Sequence, residues 1–392
     1  MTGDKTPGRL PEYLRLLLLA AVLACPLVAA GLGPEPAGKI GGENRALARP
    51  PAVSLLVSDP AAYAAGLVAA FNDNFPLRET LLRTGNRLRL AVFGESPVPG
   101  VVVGRDGWLF YSLERALDDY LNVLPLPDAI QDAMVRVLAE RRDRLAARGI
   151  AFYVVVAPDK HSIYPEYLPG RIRPLRPRSR LDILAGRLLA AGIEVVDLRP
   201  DLLRAKAVRR AYWKTDTHWN AWGAFAAASR IVDVLRRRFP DMPPLREADY
   251  RVEEAETPGG DLAGMLLLPD ILRETDIRMV PADPGAAPKV TSSTGGRSSP
   301  GPGDRPGRVT VVTETGDTRL PRALFFRDSF CTAMIPFLAG SFQSAVFVWS
   351  NAYHPDIVAA EKPDVVVFEL VERYQYAFVQ ENPPEPGGLA GR

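Results

Sequence analysis

Hydrophobic and polar positions along this chain change their period several times. From Asp128, the apolar residues Ile130, Met134, Val137, Leu138 and Leu145 recur at helical spacing with arginines between them, predicting a helix that Asp128 caps and Gly149 ends. The next run, AFYVVVAP at 151–158, is continuously apolar and rich in β-branched residues, the pattern of a strand covered on both faces. A helix over about 180–191 leads to a second strand, IEVVDL at 193–198. Asn220 then caps a helix running to about Arg238 through Phe225, Ile231, Val232 and Leu235. RALFFRDSF at 322–330 carries an apolar strand straight into a helix over about 330–339. AVFVWS at 345–350 and DVVVFEL at 364–370 are further buried strands, separated by a short helix near 356–362. Strands alternating with helices predict an α/β fold whose central sheet is mostly parallel and covered by helices on both sides. Ligands in such folds bind beyond the carboxyl ends of the strands.

Elsewhere the pattern is weaker. Residues 71–94 are amphipathic, and VVVGRDGWLFYS at 101–112 reads as two short strands about an Arg105-Asp106-Gly107 turn. Residues 240–308 are poorly patterned and end in a low-complexity stretch, predicting a flexible insertion near 285–308. At the start, residues 16–32 carry no charge and follow Lys5, Arg9 and Arg15. That run predicts a signal anchor holding the chain to the inner membrane through residues 14–33, with the remainder in the periplasm. Val28-Ala29-Ala30 offers the alternative of a cleaved signal peptide and a secreted product. The expected organisation is therefore a membrane segment at 1–33, a Pro/Gly/Ala-rich tether at 34–60 and a folded domain at 61–392.

Composition changes this picture little. Of 392 residues, 47% are hydrophobic and 24% charged, and a formal net charge of +2 gives no reason to expect a nucleic-acid partner. The two cysteines, Cys25 and Cys331, leave the exported part without an internal disulfide, so Cys331 is expected to be a buried thiol.

The densest chemistry lies in YWKTDTHWNAWGAF, 212–225, which holds one of three histidines in the chain. Asp216 and His218 stand two apart, so an extended backbone turns both side chains to one side. Ser329, at the strand-to-helix turn, supplies a hydroxyl that a histidine base can activate, and a carboxylate can fix that histidine's tautomer. The same residues have blander readings: a hydrogen-bonded turn for Asp216 and His218, and an N-cap for Ser329. A third reading takes Asp216, His218 and His161 as metal ligands, but no HExxH or paired-cysteine pattern accompanies them. Neither a metal nor a cofactor is expected.

Asp216-Thr217-His218-Trp219, followed much later by Asp328-Ser329-Phe330, resembles the alginate O-acetyltransferase family of SGNH hydrolase-like proteins. GRDGWLFY at 104–111, Pro158-Asp159-Lys160 with Ile163-Tyr164-Pro165-Glu166, and PDVVVFELVER at 363–373 fit the same resemblance. It implies an SGNH-like α/β/α sandwich outside the cytoplasm that moves acetyl groups onto an exopolysaccharide. A membrane-bound partner would pass the acetyl group across the membrane. The resemblance assigns Ser329 as acyl-accepting nucleophile, His218 as general base and acid, and Asp216 as its orienting carboxylate. Arg327 departs from the superfamily's glycine before Asp-Ser, which raises a question about the turn, because glycine alone freely takes left-handed dihedrals.

Several rim residues remain two-sided. Asn351 offers a hydrogen bond to an oxyanion or to its own loop, and Tyr353 and His354 are further rim candidates. Lys160 suits either a carboxylated sugar or a salt bridge. Trp219, with Trp213 and Trp222, suits a sugar platform or a core cluster at the helix entry. Asp328 reads as a turn carboxylate, and Arg373 as a structural ion-pair partner. Acetyl transfer leads, with an acetylesterase using the same triad, or a non-catalytic glycan-binding component of a secretion complex, as alternatives.

Overall fold

In the computed structural model, residues 13–17, 19–20, 48–73, 78–124, 126–283, 290–294 and 310–379 are described. The chain divides into two compact units, residues 1–98 with 264–268, and 99–263 with 269–392. In the first, the helices α1 (Pro60–Asp73) and α2 (Arg78–Phe93) dominate. Most of the expected membrane segment lies outside the described residues. Among those described, no helix is long and apolar enough to cross a membrane.

The second unit is built on a sheet of seven strands in the order β4-β3-β11-β9-β10-β8-β7. β3 (Ala151–Ala157), β4 (Val195–Asp197), β9 (Arg322–Arg327), β10 (Ser344–Trp349) and β11 (Val365–Val371) run parallel. β8 (Thr310–Glu314) and β7 (Val290–Thr294) add antiparallel edges. The sheet is thus mostly parallel, as the apolar runs predict. A tight ribbon, β1 (Val101–Val103) with β2 (Leu109–Tyr111), and a longer one, β5 (Tyr250–Thr257) with β6 (Glu274–Pro281), stand apart from it.

The continuous hydrophobicity of the central strands has a direct cause: both faces are covered. Tyr153, Val155, Phe325, Phe347 and Val367 face one layer, which includes Trp219, Phe225 and Ile231, while Phe152, Val154, Leu324, Phe326 and Phe368 face the other, with Leu138, Leu184 and Leu188. Each fully buried large side chain stabilises the fold by about 1.5–3 kcal/mol. α3 (Asp128–Ala146) and α4 (Arg180–Ala190) cover the second face; α5 (Arg199–Val208) and α6 (Ala221–Leu235) lie on the first. Ser179 and Asp182 form a capping box that starts α4, and the Asn220 side chain accepts from the Gly223 N–H to start α6.

Two expectations need correction here. Residues 240–308 are not merely irregular, since they supply β5, β6 and β7; charged residues alternate along β5 because it lies in a two-stranded ribbon with much of its surface exposed. Within the segment 285–308, residues 290–294 form β7, paired with β8, and the rest of the expected insertion lies outside the described residues. The helix expected over 330–339 is broken into a 3-10 turn at Phe330–Ala333 and one α turn at Ile335–Leu338, because Pro336 lacks an N–H to donate.

Candidate active site

The carboxyl ends of β9, β10, β3 and β11 form one rim, and the loop before α6 reaches over it. That loop is a narrow hairpin: Tyr212 and Trp219 form a β-bridge, the Trp213 N–H donates to the His218 carbonyl at 3.2 Å, and the Asn220 N–H donates to the Ala211 carbonyl at 3.0 Å. Just past its tip, His218 Nδ1 lies 2.7 Å from Asp216 Oδ1, and His218 Nε2 lies 2.8 Å from Ser329 Oγ. A carboxylate can only accept, so Nδ1 carries the proton and Nε2 is the acceptor that the Ser329 hydroxyl meets. The His218 N–H also donates to Asp216 Oδ1 at 2.9 Å, locking carboxylate and imidazole to one stretch of backbone.

Electrostatics reinforce this order. Burial by itself would lower the His218 imidazolium, but the hydrogen bond and charge of Asp216, joined by the charges of Asp261 and Asp328, hold its pKa above the ordinary value. Burial would raise the Asp216 carboxyl, yet His218 and the amides of Asp261 and His218 hold it down at about 2. An ionised Asp216 beside a basic His218 is the arrangement a hydroxyl nucleophile requires.

Ser329 sits at the first turn after β9, with φ −67° and ψ −28°, in ordinary right-handed space. Arg327, Asp328 and Ser329 all keep negative φ, so the turn does not need the missing glycine. Arg327 instead braces it: Nη1 donates to the Asp328 carbonyl at 3.1 Å and to Thr332 Oγ1 at 2.8 Å, and the guanidinium lies 4.3 Å over the Trp349 ring. Asp328 is a turn carboxylate, accepting from Phe330 N–H at 2.9 Å and from Val371 N–H at 2.7 Å. Cys331 is a buried free thiol, pushed well above its usual pKa by that burial.

The remaining candidates separate. Asn351 is half-buried and, with Arg327 opposite Trp349 in the β9–β10 pairing, lies two residues past the end of β10 as Ser329 lies two residues past the end of β9. Lys160 is not a surface residue: it is buried, and Nζ donates to the carbonyls of Asp216 at 2.6 Å, Lys214 at 3.1 Å and Trp213 at 3.2 Å. Its three N–H donors are all spent on the backbone of the loop, which removes it as a sugar contact. Burial pulls its pKa down to about 8 against the opposing charges of Asp216, Asp261 and Glu274. Tyr353 leaves the rim for the far core, with the Arg141 guanidinium 4.2 Å over its ring. Trp219 is buried edge-on to Phe330 and its Nε1–H donates to the Phe330 carbonyl at 3.1 Å; Trp222 is buried too, so neither is a sugar platform.

Trp213 does line an open cavity of about 700 Å³, with Tyr250, Met279, Pro281, Ile335 and Phe337. His161 is buried between Phe110 and Tyr120 and held neutral by that burial, at a pKa of about 3; His354 pairs with Ser350 Oγ at 2.8 Å. Arg373 pairs with Asp159 rather than with its neighbour Glu372.

Three residues escaped the pattern reading. Glu274 holds the loop from β6, accepting from the N–H groups of Lys214 and Thr215 at 2.8 Å each. Gly260 packs so closely that a Cβ would fall 2.4 Å from Asp216 Oδ2. Asp261 follows it, with Oδ2 at 3.8 Å from His218 Nδ1. The signal for the last two was Pro258-Gly259-Gly260-Asp261, a glycine pair before a helix-starting aspartate, inside a stretch without period. Asp216, His218 and Asp261 offer ligand atoms within 4.8 Å of one another. Hydrogen bonds already occupy Asp216 Oδ1, His218 Nδ1 and Asp216 Oδ2, so a cation would have to break the Asp–His pair.

A mostly parallel sheet with a hydrogen-bonded Ser–His–Asp chain at its carboxyl rim is an SGNH-like α/β fold. Residues 101–294 match the family model for the SGNH hydrolase-like domain of the acetyltransferase AlgX, which bears out the resemblance to the alginate O-acetyltransferases. A probable alginate O-acetylase AlgJ from Pseudomonas aeruginosa is 32% identical over 229 residues, 55% of this chain and 56% of that protein. The chain spans about half the length of the curated relatives it matches. Among solved structures, Bacillus cereus PatB1 with a sulfonyl adduct shares the fold at 17% identity and a TM-score of 0.53, over 72% of this chain and all of that one. A DHHW family protein from Eubacterium siraeum does so at 17% identity and a TM-score of 0.50, over 73% of this chain and 100% of that one.

Proposed function

We propose that this protein is an O-acetyltransferase that places acetyl groups on hydroxyls of an alginate-like exopolysaccharide through an acetyl-Ser329 intermediate. The observation that carries the reading is the unbroken chain from Asp216 through His218 to Ser329, at 2.7 and 2.8 Å. The acetyltransferase and alginate O-acetylase names of its relatives support the group transferred and the class of acceptor.

In the first half-reaction His218 Nε2 takes the Ser329 proton while Oγ bonds to the acetyl carbonyl carbon of the donor, and the carbonyl electron pair moves to oxygen. Collapse restores the carbonyl and expels the donor's heteroatom, which takes the proton back from His218. A sugar hydroxyl then attacks acetyl-Ser329; His218 accepts its proton and returns it to Ser329 Oγ as the ester bond to serine breaks. Asp216 remains ionised throughout and stabilises each imidazolium. The Phe330 N–H is committed to Asp328, which leaves the Ser329 N–H and the Asn351 amide as our assigned oxyanion donors.

We place the domain in the periplasm, anchored to the inner membrane by residues 14–33, where a membrane-bound partner delivers acetyl groups from cytoplasmic donors. The test uses the full-length chain with a chromogenic acetyl ester and alginate oligosaccharides as acceptors. Ser329→Ala is expected to lower turnover by about 10³-fold or more while the fold persists, and mass spectrometry of wild type is expected to find one acetyl group on Ser329. Undiminished turnover in Ser329→Ala rejects the nucleophile. Release of acetate alone, unaffected by added oligosaccharide, replaces the transferase by an esterase.

A further inference from the structure

Asp261 closes the Asp216–His218 loop from the side opposite Ser329. Its N–H donates to Asp216 Oδ2 at 2.9 Å, while its own Oδ1 accepts from the Thr217 N–H at 2.7 Å. The next two amides, Leu262 and Ala263, both donate to the Thr215 carbonyl at 3.1 Å, and the Gly260 N–H donates to Thr215 Oγ1 at 2.9 Å. Four successive N–H groups thus hold the loop, and Asp261 alone adds a side-chain bond in the reverse direction. A neutral amide would serve Thr217 equally well. What an amide cannot replace is the second carboxylate oxygen, 3.8 Å from His218 Nδ1. Its charge matters most when His218 holds a proton, because two unlike charges at that distance attract strongly in a partly enclosed site.

We propose that Asp261 is a positioning residue of the reaction: it holds the Asp216–His218 loop in register with Ser329 and adds a second carboxylate charge beside the imidazolium that His218 becomes. This rests on the acetyl-Ser329 reading. The other charged or titratable groups facing the pair are Asp216 itself, Asp328 ahead of Ser329, Lys160 beneath the loop, and Tyr111 across from Asp261. Asp216 and Asp328 act with Asp261 on His218.

Two substitutions in the full-length protein separate the two roles. Asp261→Asn keeps an oxygen for Thr217 and removes the charge. Its expected result is a fall of about half to one unit in the His218 pKa, read by NMR among only three histidines. The acid limb of kcat/KM should move down by the same amount. Asp261→Ala also removes the bond to Thr217, and kcat should fall about 10²-fold with little change in KM, as expected for a displaced base. An unmoved His218 titration in Asp261→Asn overturns the charge role, and wild-type kcat in Asp261→Ala overturns the positioning role. If Asp261→Ala does not fold, the Asn variant still decides the charge role and Asp261→Leu, which fills the same space without an acceptor for the Thr217 N–H, takes its place for the positioning role. The NMR titration needs no turnover: a shifted His218 in a protein whose Ser329→Ala variant stays active would sink the nucleophile and leave the charge role standing. An inactive Ser329→Ala beside wild-type behaviour of both Asp261 variants would sink this inference alone.

Discussion

Glu274 holds Thr215 twice: its Oε1 accepts from the Thr215 N–H at 2.8 Å and from the Thr215 hydroxyl, while Oε2 takes the Arg210 guanidinium at 2.7 Å. The first residue of β6 therefore fixes the root of the Asp216–His218 loop. A peripheral ribbon in this way sets the position of an imidazole on the central rim.

Glu274→Ala should cost about 2–4 kcal/mol, because it leaves buried amides and the Arg210 charge without their acceptor. Urea denaturation measures the loss. The same variant should lose kcat at temperatures where it remains folded, since the loop is released at its root.

Gly260→Ala puts a methyl 2.4 Å from both Cβ and Oδ2 of Asp216, so the loop must move. Activity should drop about 10²-fold. Gly186 inside α4 is the contrasting case, with nothing within 4 Å of an added Cβ. Gly186→Ala should raise stability by about 0.5–1 kcal/mol and leave turnover alone. Thermal melts and ester hydrolysis on both variants check the pair.

Asp216→Asn should lower kcat by about 10³–10⁴-fold, since an amide can present its NH₂ to Nδ1 and favour the wrong imidazole tautomer. Steady-state kinetics with saturating ester reads this directly.

The pH dependence has a definite sign. His218 must be neutral to accept the serine proton, and its pKa is raised, so kcat/KM should rise with pH through a midpoint above the ordinary 6.5. Stability follows the same pair. The Asp216 contribution is present above its ordinary 3.8 and lost as pH falls toward about 2; the His218 contribution is present below 6.5 and lost as pH rises through its raised value. Denaturation midpoints from pH 2 to 9 test it, with Asp216→Asn flattening both limbs.

Arg327→Gly, which restores the superfamily's glycine, should damage the protein. It removes the guanidinium from Trp349, Thr332 and the Asp328 carbonyl and leaves a buried hole, at a cost of about 2–4 kcal/mol. A melting temperature equal to wild type would refute this account of the turn.

The central strands were legible because burial on both faces leaves no room for polar residues: AFYVVVA and VVVFELV announce themselves by composition alone. The chemical types in Asp216, His218 and Ser329 were legible as well, since few residues can serve as carboxylate, base and alcohol. β5, β6 and Asp261 were not. β5 is a half-exposed ribbon strand whose alternation is filled with glutamates rather than large apolar residues, so it carries little hydrophobic signal. Lys160 and Trp219 stayed two-sided in the sequence, because a lone cation or aromatic looks the same whether its partners are sugars or backbone carbonyls.

By itself, the sequence determined the alternation of strands and helices and the side-chain types of the candidate site, since both follow from short-range pattern and residue chemistry. Only the tertiary structure decided that Nε2 meets Oγ at 2.8 Å, that Lys160 faces inward and that Asp261 closes the loop. Those contacts join segments far apart along the chain, and their geometry depends on sheet order and close packing, which no local pattern encodes.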